Sequence, residues 1–335
     1  MQLTRSFIVI LIVTGTQIVN AESPVVIAHR GASGYLPEHT LAAKALAHGM
    51  GAEFLEQDVV LTKDDQPIVV HDIHLDTVTN VAEVFPDRKR NDGRYYAIDL
   101  TLAEVKRLRA TERVDAKTNK PVFPTRFPPH KSHFSISTLA EELELIQGLN
   151  KSSGRAAGIY TEIKQPAWHQ REGKDISKIV LAVLDHYGYR EPNDLAFVQC
   201  FDVAETKRIR QELNCRLRLV QLLGATGWPE VGADFDHQAL VKAVSEIANY
   251  AEGIGPQMSD VVRGRRDNGD PILTSLVEVA HQHGLVVHPY TLRADALPEY
   301  TESFDELVKL FFVDAKVDGF FTDFPDLALQ ARDRR

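Results

Sequence analysis

Three acidic residues of this sequence could hold a metal ion together. Glu56 and Asp58 lie two positions apart in an apolar run typical of a β-strand, so their side chains face the same way. Two such carboxylates repel each other unless a cation lies between them, and Glu162, in a second strand-like run, would add a third oxygen ligand. An all-oxygen set suits Ca²⁺ or Mg²⁺ better than zinc. A salt-bridge network with Arg30 and Lys164 is the competing interpretation.

Two histidines form a second candidate group. His29 and His71 each follow an apolar run, and an imidazole with an ordinary pKa of about 6.5 exchanges protons near neutral pH. Cleavage of a phosphodiester needs one proton taken from the attacking oxygen and one given to the departing alcohol. Arg30 and Lys164 could bind the phosphate oxygens. Metal, histidines and cations together predict a phosphate-ester site.

The pattern of elements predicts how these residues meet. Short apolar runs alternate with longer helical patterns, as in parallel βα units. The strand-like runs are residues 25–28, 53–62, 67–71, 158–163, 195–201, 216–223, 253–256, 286–290 and 319–322. Only Lys63-Asp64-Asp65-Gln66 separates the second run from the third, which is too short for a parallel crossover and predicts a hairpin. Eight βα units remain, and they predict an α/β fold, a (β/α)8 TIM barrel.

Such a barrel carries its reactive groups where the strands end. All the residues above lie in strand-like runs or directly after them, and further candidates at strand ends are Gln199, His288, Tyr290 and Asp323. A single polar residue at a strand end is usually a solvated or capping residue. The prediction of an active site therefore rests on the whole set of residues and not on any single one.

Two segments lie outside this pattern. Residues 73 to about 135 are rich in turn-forming Pro, Asn, Asp and Gly, and we expect them to form a small subdomain inserted after the hairpin of strand two. Residues 1–21 combine Arg5, an apolar stretch and a small Ala21, which predicts a cleaved signal peptide and a periplasmic enzyme domain over 22–335. In an exported chain, Cys200 and Cys215 could pair.

Composition excludes several classes of protein. The 335 residues include 38 basic and 47 acidic side chains, a net charge of −9, with no basic run to bind nucleic acid. Two cysteines are too few for a disulfide scaffold or a four-cysteine zinc site. No segment after the predicted signal is long and apolar enough for stable membrane insertion. The sequence leaves the oligomeric state open.

Three motifs resemble the glycerophosphodiester phosphodiesterase family, in particular its bacterial periplasmic branch: His29-Arg30-Gly31, Glu56-Gln57-Asp58 and His71-Asp72. The resemblance continues through Pro37-Glu38-His39-Thr40 and residues 160–164, 199–202, 287–291 and 321–325. It covers essentially the whole chain after the predicted signal. At these intervals the three motifs form a specific signature.

The resemblance implies a TIM barrel with a characteristic insertion and the hydrolysis of small-molecule glycerophosphodiesters to sn-glycerol 3-phosphate and an alcohol such as choline, ethanolamine or glycerol. It implies acid/base roles for His29 and His71, and one divalent cation, Ca²⁺ in the periplasmic branch or Mg²⁺ in others. The implied metal ligands are Glu56, Asp58 and Glu162, and the implied substrate-binding residues are Arg30, Lys164, Glu38, Gln199 and Tyr290.

Two residues depart from the wider family. His39 replaces a commoner Asn and Tyr290 a commoner Trp, and we expect both to affect contacts with the alcohol or glycerol part of the substrate. The sequence does not assign acid and base between the two histidines, nor does it choose between water and the glycerol 2-hydroxyl as the attacking group.

Two other functions are compatible with a barrel of this kind. A secreted phospholipase D-like lyase would need an apolar, membrane-facing surface, whereas the insertion contains Asp87-Arg88-Lys89-Arg90-Asn91-Asp92. A non-catalytic surface binding protein would have no use for two proton-transfer histidines. Both are less consistent with the sequence than the phosphodiesterase.

Overall fold

The computed structural model describes residues 24–224 and 237–334, and the predicted signal peptide of residues 1–21 lies outside them. The strands are β1 Val25–Ala28, β2 Phe54–Leu61, β3 Pro67–Val69, β4 Gly158–Ile163, β5 Ala196–Cys200, β6 Arg218–Leu222, β7 Gly253–Gly255, β8 Val262–Arg265, β9 Pro271–Leu273, β10 Val286–Val287 and β11 Gly319–Thr322. Parallel pairing gives the order β10-β7-β6-β5-β4-β2-β1-β11.

The two ends of this sheet come together. The backbone N–H of Asp318 donates to the carbonyl of Val287 at 3.1 Å, and that of Phe321 donates to Pro289 at 3.0 Å. These bonds join the end of β10 to β11 and close the parallel strands into a barrel. The predicted (β/α)8 fold is confirmed, and so is the hairpin, since β3 pairs with β2 in antiparallel register.

Helices surround the barrel. They are α1 Leu41–Met50, α2 Val81–Val84, α3 Leu102–Val105, α4 Leu139–Ser153, α5 Pro166–Arg171, α6 Ile176–His186, α7 Val203–Gln211, α8 His237–Ile247, α9 Met258–Val261, α10 Leu276–Gln282, α11 Phe304–Lys309 and α12 Pro325–Asp333. Short 3₁₀ turns cover Pro86–Arg88 and Ala97–Asp99, and a π-helical turn, Leu310–Asp314, follows α11. Among the helices of residues 24–224 and 237–334, none is long and apolar enough to cross a membrane.

Local sequence explains where the longer helices begin. Thr138 caps α4, and its hydroxyl accepts from the N–H of Glu141 while the Glu141 side chain accepts from the backbone of Thr138. Asp202 caps α7 in the simpler way, by accepting from the N–H of Glu205. Each cap satisfies a backbone N–H in the first turn, so the helix begins at the residue that follows its cap.

Two apolar layers hold the barrel. The larger lies between the strands and the outer helices, where residues such as Leu55, Ile159 and Leu219 are fully buried. The smaller fills the barrel interior and consists of Ile27, Phe54, Tyr160, Phe197, Val220 and Phe321. Because the interior is filled by large side chains, a ligand can enter only at a barrel mouth.

Residues 73–135 have an apolar cluster of their own. It includes Leu75, Val81, Tyr95, Leu100 and Val105 and continues onto the outer face of the hairpin through Val60 and Ile68. A backbone bridge between Ile68 and Thr138 ties the end of this segment to β3. The segment is thus packed against the barrel next to the hairpin that carries His71.

One hairpin was not predicted. Strands β8 and β9 pair in antiparallel register in the loop that follows β7. Their side chains are largely exposed, and the sequence between them is Arg266-Asp267-Asn268-Gly269-Asp270. Only Val262 of the two strands is buried, so the hairpin has no apolar alternation to reveal it.

The two cysteines are free thiols within the described part of the chain. Cys200 lies in β5, whereas Cys215 lies before the first residue of β6. The pairing that the sequence left open is therefore not formed between them in this structure.

Candidate active site

A cavity of about 410 Å³ lies at the mouth of the barrel where the strands end. Its lining includes most of the residues singled out from the sequence: His29, Arg30, Glu56, Asp58, His71, Glu162, Gln199 and Tyr290. These residues come from β2, β4 and β5 and from the loops that follow β1, β3 and β10. The fold therefore brings together side chains that are far apart in the sequence.

Three buried carboxylates meet in this cavity. Glu56, Asp58 and Glu162 each offer an oxygen, and these oxygens lie within 4.8 Å of one another. Glu56 and Asp58 lie together for the reason predicted from the sequence, since alternate residues of β2 face the same way. Glu162 joins them because it is paired in register with Asp58 across β2 and β4. The Oδ1 atom of Asp58 is buried and has no hydrogen-bond partner among the described residues, so the cluster fits a hard divalent cation.

Cations of the chain lie beside the same carboxylates. The Nζ of Lys164 is 2.6 Å from Oε1 of Glu162, and the Nε of Arg30 is 3.4 Å from Oδ2 of Asp58. The salt-bridge network considered from the sequence is therefore present alongside the acidic cluster. Three acidic and two basic side chains therefore share one buried space.

Burial and mutual repulsion shift the acidic groups in different directions. Burial, with Asp58 next to it, raises the pKa of Glu56 well above its ordinary value. Burial also raises the pKa of Glu162 to about 8 despite the neighbouring Lys164. The pKa of Asp58 is lowered, since Lys164 and His39 outweigh the effect of burial. Burial and mutual repulsion thus oppose the ionisation of Glu56 and Glu162, and a bound divalent cation would favour it.

His29 is held by a carboxylate from the last strand. Its Nδ1 lies 2.5 Å from Oδ1 of Asp323, and its Nε2 lies 3.8 Å from Oε2 of Glu56. Burial, and then Arg30, lower the pKa of His29 to about 4, against the influence of Asp323. A neutral ring that faces a carboxylate through Nδ1 carries its proton there. The lone pair of Nε2 then points to the cavity.

His71 is arranged in the same way. Its Nδ1 lies 2.8 Å from Oδ1 of the adjacent Asp72. Burial lowers the pKa of His71, and Arg30 and Lys164 add to the effect. The ring is therefore neutral with Nδ1 protonated, and its Nε2 is free to exchange a proton. Two such imidazoles line one cavity with the acidic cluster.

The other predicted substrate-binding residues occupy different positions. Tyr290 lines the cavity and donates its hydroxyl to the carbonyl of Leu223 at 2.6 Å. Gln199 lines it too, and its Nε2 donates to Oε1 of Glu56 at 3.0 Å. Glu38 lies behind the cavity wall, where it accepts a hydrogen bond from Nη1 of Arg30 at 3.0 Å. Glu38 thus reaches the cavity only through Arg30.

Sequence reasoning missed the residues that hold the histidines. Asp323 was noted as a strand-end residue but given no role. Arg113 and Arg126, from residues 73–135, and Arg293 were not considered, although all three bind carboxylates around the cavity. No local pattern marks these arginines, because their partners are far away in the sequence.

A second cavity of about 600 Å³ adjoins the first. The two share His71, Glu162 and Phe201 in their walls, and the second is also lined by Lys164 and Trp168. The indole of Trp168 stacks on the ring of Tyr96 with centroids 5.6 Å apart. An elongated ligand bound at the acidic cluster could therefore extend past His71 against an aromatic wall.

Comparison with known proteins agrees with this geometry. Residues 29–327 match the model of the glycerophosphoryl diester phosphodiesterase family. The chain is 44% identical over 323 residues to a glycerophosphodiester phosphodiesterase of Haemophilus influenzae, covering 91% of this chain and 89% of that protein. It is 38% identical to one of Treponema pallidum, covering 92% of each. A phosphodiesterase of Oleispira antarctica, solved with the product sn-glycerol-3-phosphate, superposes with a TM-score of 0.62 at 21% identity, covering 92% of this chain and 97% of that one.

Proposed function

Because this chain belongs to the glycerophosphoryl diester phosphodiesterase family, we propose that it hydrolyses glycerophosphodiesters to sn-glycerol 3-phosphate and an alcohol, with a divalent cation and two histidines. The proposal rests on one observation. Three buried carboxylates and two imidazoles lie in one cavity, and each imidazole contacts an aspartate through its Nδ1. The structure solved with sn-glycerol-3-phosphate supports the choice of product.

Glu56, Asp58 and Glu162 would hold the cation. Their oxygens fit a hard ion, and Ca²⁺ is proposed, with Mg²⁺ as the alternative. When bound, the ion would supply positive charge to a phosphate oxygen as negative charge develops there. Gln199 keeps Glu56 in place through its amide.

Arg30 and Lys164 would bind the phosphate. Arg30 lines the first cavity and Lys164 the second, and both lie beside the acidic cluster. A guanidinium can bind two phosphate oxygens, and an ammonium binds as a point charge. Glu38 orients Arg30 by accepting from its Nη1.

The two imidazoles would move the protons. The Nε2 of one histidine accepts the proton of the attacking oxygen, and the Nε2 of the other donates a proton to the oxygen of the departing alcohol. The donor must be protonated beforehand, and the negative charge of a bound phosphodiester raises the pKa of an imidazole beside it. His29 and His71 both line the cavity in which the phosphate would bind.

The alcohol part of the substrate would occupy the second cavity. A phosphate near Glu162 and His71 lies where the two cavities join. Trp168 and Phe201 give this space an aromatic wall, which suits the quaternary ammonium of choline.

The predicted signal peptide supports a periplasmic location for the protein, where small diesters of this kind would be encountered.

One assay tests the function and separates it from the two alternatives. The purified protein is incubated with glycerophosphocholine, with EDTA, and with EDTA followed by excess Ca²⁺, and glycerol 3-phosphate is measured. Release that EDTA abolishes and Ca²⁺ restores supports the proposal. A cyclic phosphate formed from lipid substrates alone would identify a phospholipase D-like lyase, and binding without any product would identify a binding protein.

A further inference from the structure

The carboxylate behind His71 uses both of its oxygens. Oδ1 of Asp72 faces Nδ1 of His71 at 2.8 Å, while Oδ2 accepts from Nη1 of Arg113 at 2.6 Å. The same guanidinium binds Glu38 through two bonds, Nε to Oε2 at 3.0 Å and Nη2 to Oε1 at 2.6 Å. Arg113 therefore joins the carboxylate that holds His71 to the carboxylate that holds Arg30.

The carboxylate behind His29 is used in a matching way. Oδ1 of Asp323 faces Nδ1 of His29, and Oδ2 accepts from Nη2 of Arg126 at 2.7 Å. Nε of Arg293 binds the same Oδ2 at 2.7 Å. Arg126 is itself fixed by two bonds to Asp295, at 2.7 and 3.0 Å.

Arg113 and Arg126 both come from residues 73–135, outside the repeating βα units. The backbone around Arg113 is tied into that segment, since its carbonyl accepts from Val122 and the next N–H, of Val114, donates to Thr77. The guanidinium of Arg126 lies 3.6 Å from the ring centroid of Phe123, and its side chain is only 4% exposed. Each arginine is thus supported by its own segment as well as by its carboxylate partner.

We propose that residues 73–135 act as part of the catalytic site, with Arg113 and Arg126 as positioning residues that each lock the carboxylate behind one of the two histidines. The inference rests on the proposed function, because it takes His29 and His71 as the proton-transfer groups. It assigns to this segment the alignment of the two imidazoles.

The physical reason is the freedom of a carboxylate to rotate. A charge-assisted hydrogen bond from a guanidinium to the outer oxygen of each carboxylate restricts its rotation, and a carboxylate held in this way holds the direction of the imidazole ring and its Nδ1–H tautomer. A second layer of this kind typically contributes about 10- to 100-fold to activity where it has been tested around metal ligands. Without it, Nε2 of the histidine would turn away from the reacting oxygen for part of the time.

The two positions differ in a way that can be measured. Asp323 keeps Arg293 when Arg126 is removed, whereas Arg113 alone among the described cations binds Asp72. Removing Arg113 should therefore lower kcat more than removing Arg126. Loss of both Arg126 and Arg293 should release Asp323 and misalign His29, as loss of Arg113 misaligns His71.

The test combines kinetics with ¹⁵N spectra of the histidine side chains. We expect Arg113→Ala to lower kcat about 10- to 100-fold and to give His71 a mixture of tautomers, with His29 unchanged. Arg126→Ala combined with Arg293→Ala should do the reverse. Arg113→Lys keeps the charge but cannot reproduce the bonds to both Asp72 and Glu38, and it should recover only part of kcat. Arg109→Ala is the matched control, because Arg109 lies in the same segment and pairs with the exposed Glu83 at 3.3 Å.

A double mutant distinguishes positioning from general destabilisation. If Arg113 orients His71 through Asp72, adding Arg113→Ala to Asp72→Asn should leave the His71 spectrum almost unchanged, whereas independent effects would add. A further change of the His71 spectrum in the double mutant, or a His71 spectrum and kcat in Arg113→Ala equal to those of Arg109→Ala, would overturn the inference. If the unmodified protein releases no glycerol 3-phosphate but His71 still responds to Arg113→Ala, the proposed function fails while the positioning contact stands.

Discussion

The Nε2 atom of His39 lies 2.8 Å from Oδ2 of Asp58, one of the three clustered carboxylates. On the other side of the ring, Nδ1 lies 3.4 Å from the Nζ of the buried Lys44, which pairs with Glu142 at 3.0 Å. An ammonium can only donate, so Nδ1 accepts and Nε2 carries the proton. Burial, and then Lys44, lower the pKa of His39 to about 3, in agreement with a neutral ring. His39 therefore orients Asp58 by donating to it.

This contact predicts that metal affinity depends on His39. His39→Leu keeps the bulk of the side chain but removes the donor, and we expect the Ca²⁺ dissociation constant to rise about 10- to 100-fold, the usual effect of losing an outer partner of a metal ligand. Titration calorimetry with CaCl₂ measures it. His48→Leu is the control, because His48 is equally buried but bonds Asn150 instead. Equal affinities in the two variants would contradict the assignment.

Asp58→Asn should affect the cation more directly. The substitution removes a charge from the centre of the cluster and leaves the size of the side chain unchanged. A ligand that binds only the folded state raises the midpoint of unfolding, Tm. We therefore expect Ca²⁺ to raise Tm for the unmodified protein and for Asp267→Asn, an exposed acidic control, but not for Asp58→Asn. If Ca²⁺ still raises the Tm of Asp58→Asn, the proposed ion site is wrong.

Removing either proposed proton-transfer group should stop most turnover. We expect His29→Ala and His71→Ala each to lower kcat by about 100-fold or more, the usual size of an acid or base contribution, while circular dichroism stays unchanged. His186→Ala, at an exposed position on α6, should retain full activity. Full activity in His29→Ala or His71→Ala would remove that histidine from the mechanism.

Local periodicity was sufficient to predict the barrel and the acidic pair. Glu56 and Asp58 are neighbours on one strand, and alternation alone brings their side chains together. His29 follows a parallel barrel strand, and those strands all end on the same side. His71 follows β3, which runs back antiparallel along β2 to the level of Asp58. Those contacts need only the direction and order of the strands, which the apolar runs supply.

Contacts across many residues could not be predicted in this way. His39 was expected to contact the alcohol or glycerol, but the ring is buried behind Asp58. Its direction is set by Lys44 and by a φ of +58° at His39 itself. Arg126 binds Asp323 across 197 residues, which depends on how residues 73–135 pack. No spacing rule contains that information.

Trp168 should affect the choice of alcohol. A quaternary ammonium against an indole gains about 0.5–2 kcal/mol, so Trp168→Ala should lower kcat/KM several-fold for glycerophosphocholine and much less for glycerophosphoglycerol. Trp168→Phe keeps an aromatic face in the second cavity and should retain most of the preference. Equal losses on both substrates in Trp168→Ala would show that the choline does not contact this wall.

Glu112 should make the protein less stable as the pH rises. Its side chain is 3% exposed, and Oε2 has no hydrogen-bond partner among the residues that the structure describes. Burial, with Glu38 nearby, raises its pKa from an ordinary 4.5 to about 8. The folded state therefore holds this proton more tightly than the unfolded state. The resulting stability is complete below the unfolded pKa and is lost as the pH rises through the folded one.

Glu112→Gln removes this titration and keeps the shape of the side chain. We expect the variant and the unmodified protein to have similar free energies of unfolding below pH 4.5, where Glu112 is protonated in both the folded and the unfolded state. Above pH 8 the variant should be more stable by on the order of 5 kcal/mol, the full value of the shift from 4.5 to about 8. Urea unfolding at several pH values measures the difference, and Glu299→Gln, at an exposed position, serves as the control. A difference between Glu112→Gln and the unmodified protein that stays constant over the range would mean that Glu112 is ionised in the folded state.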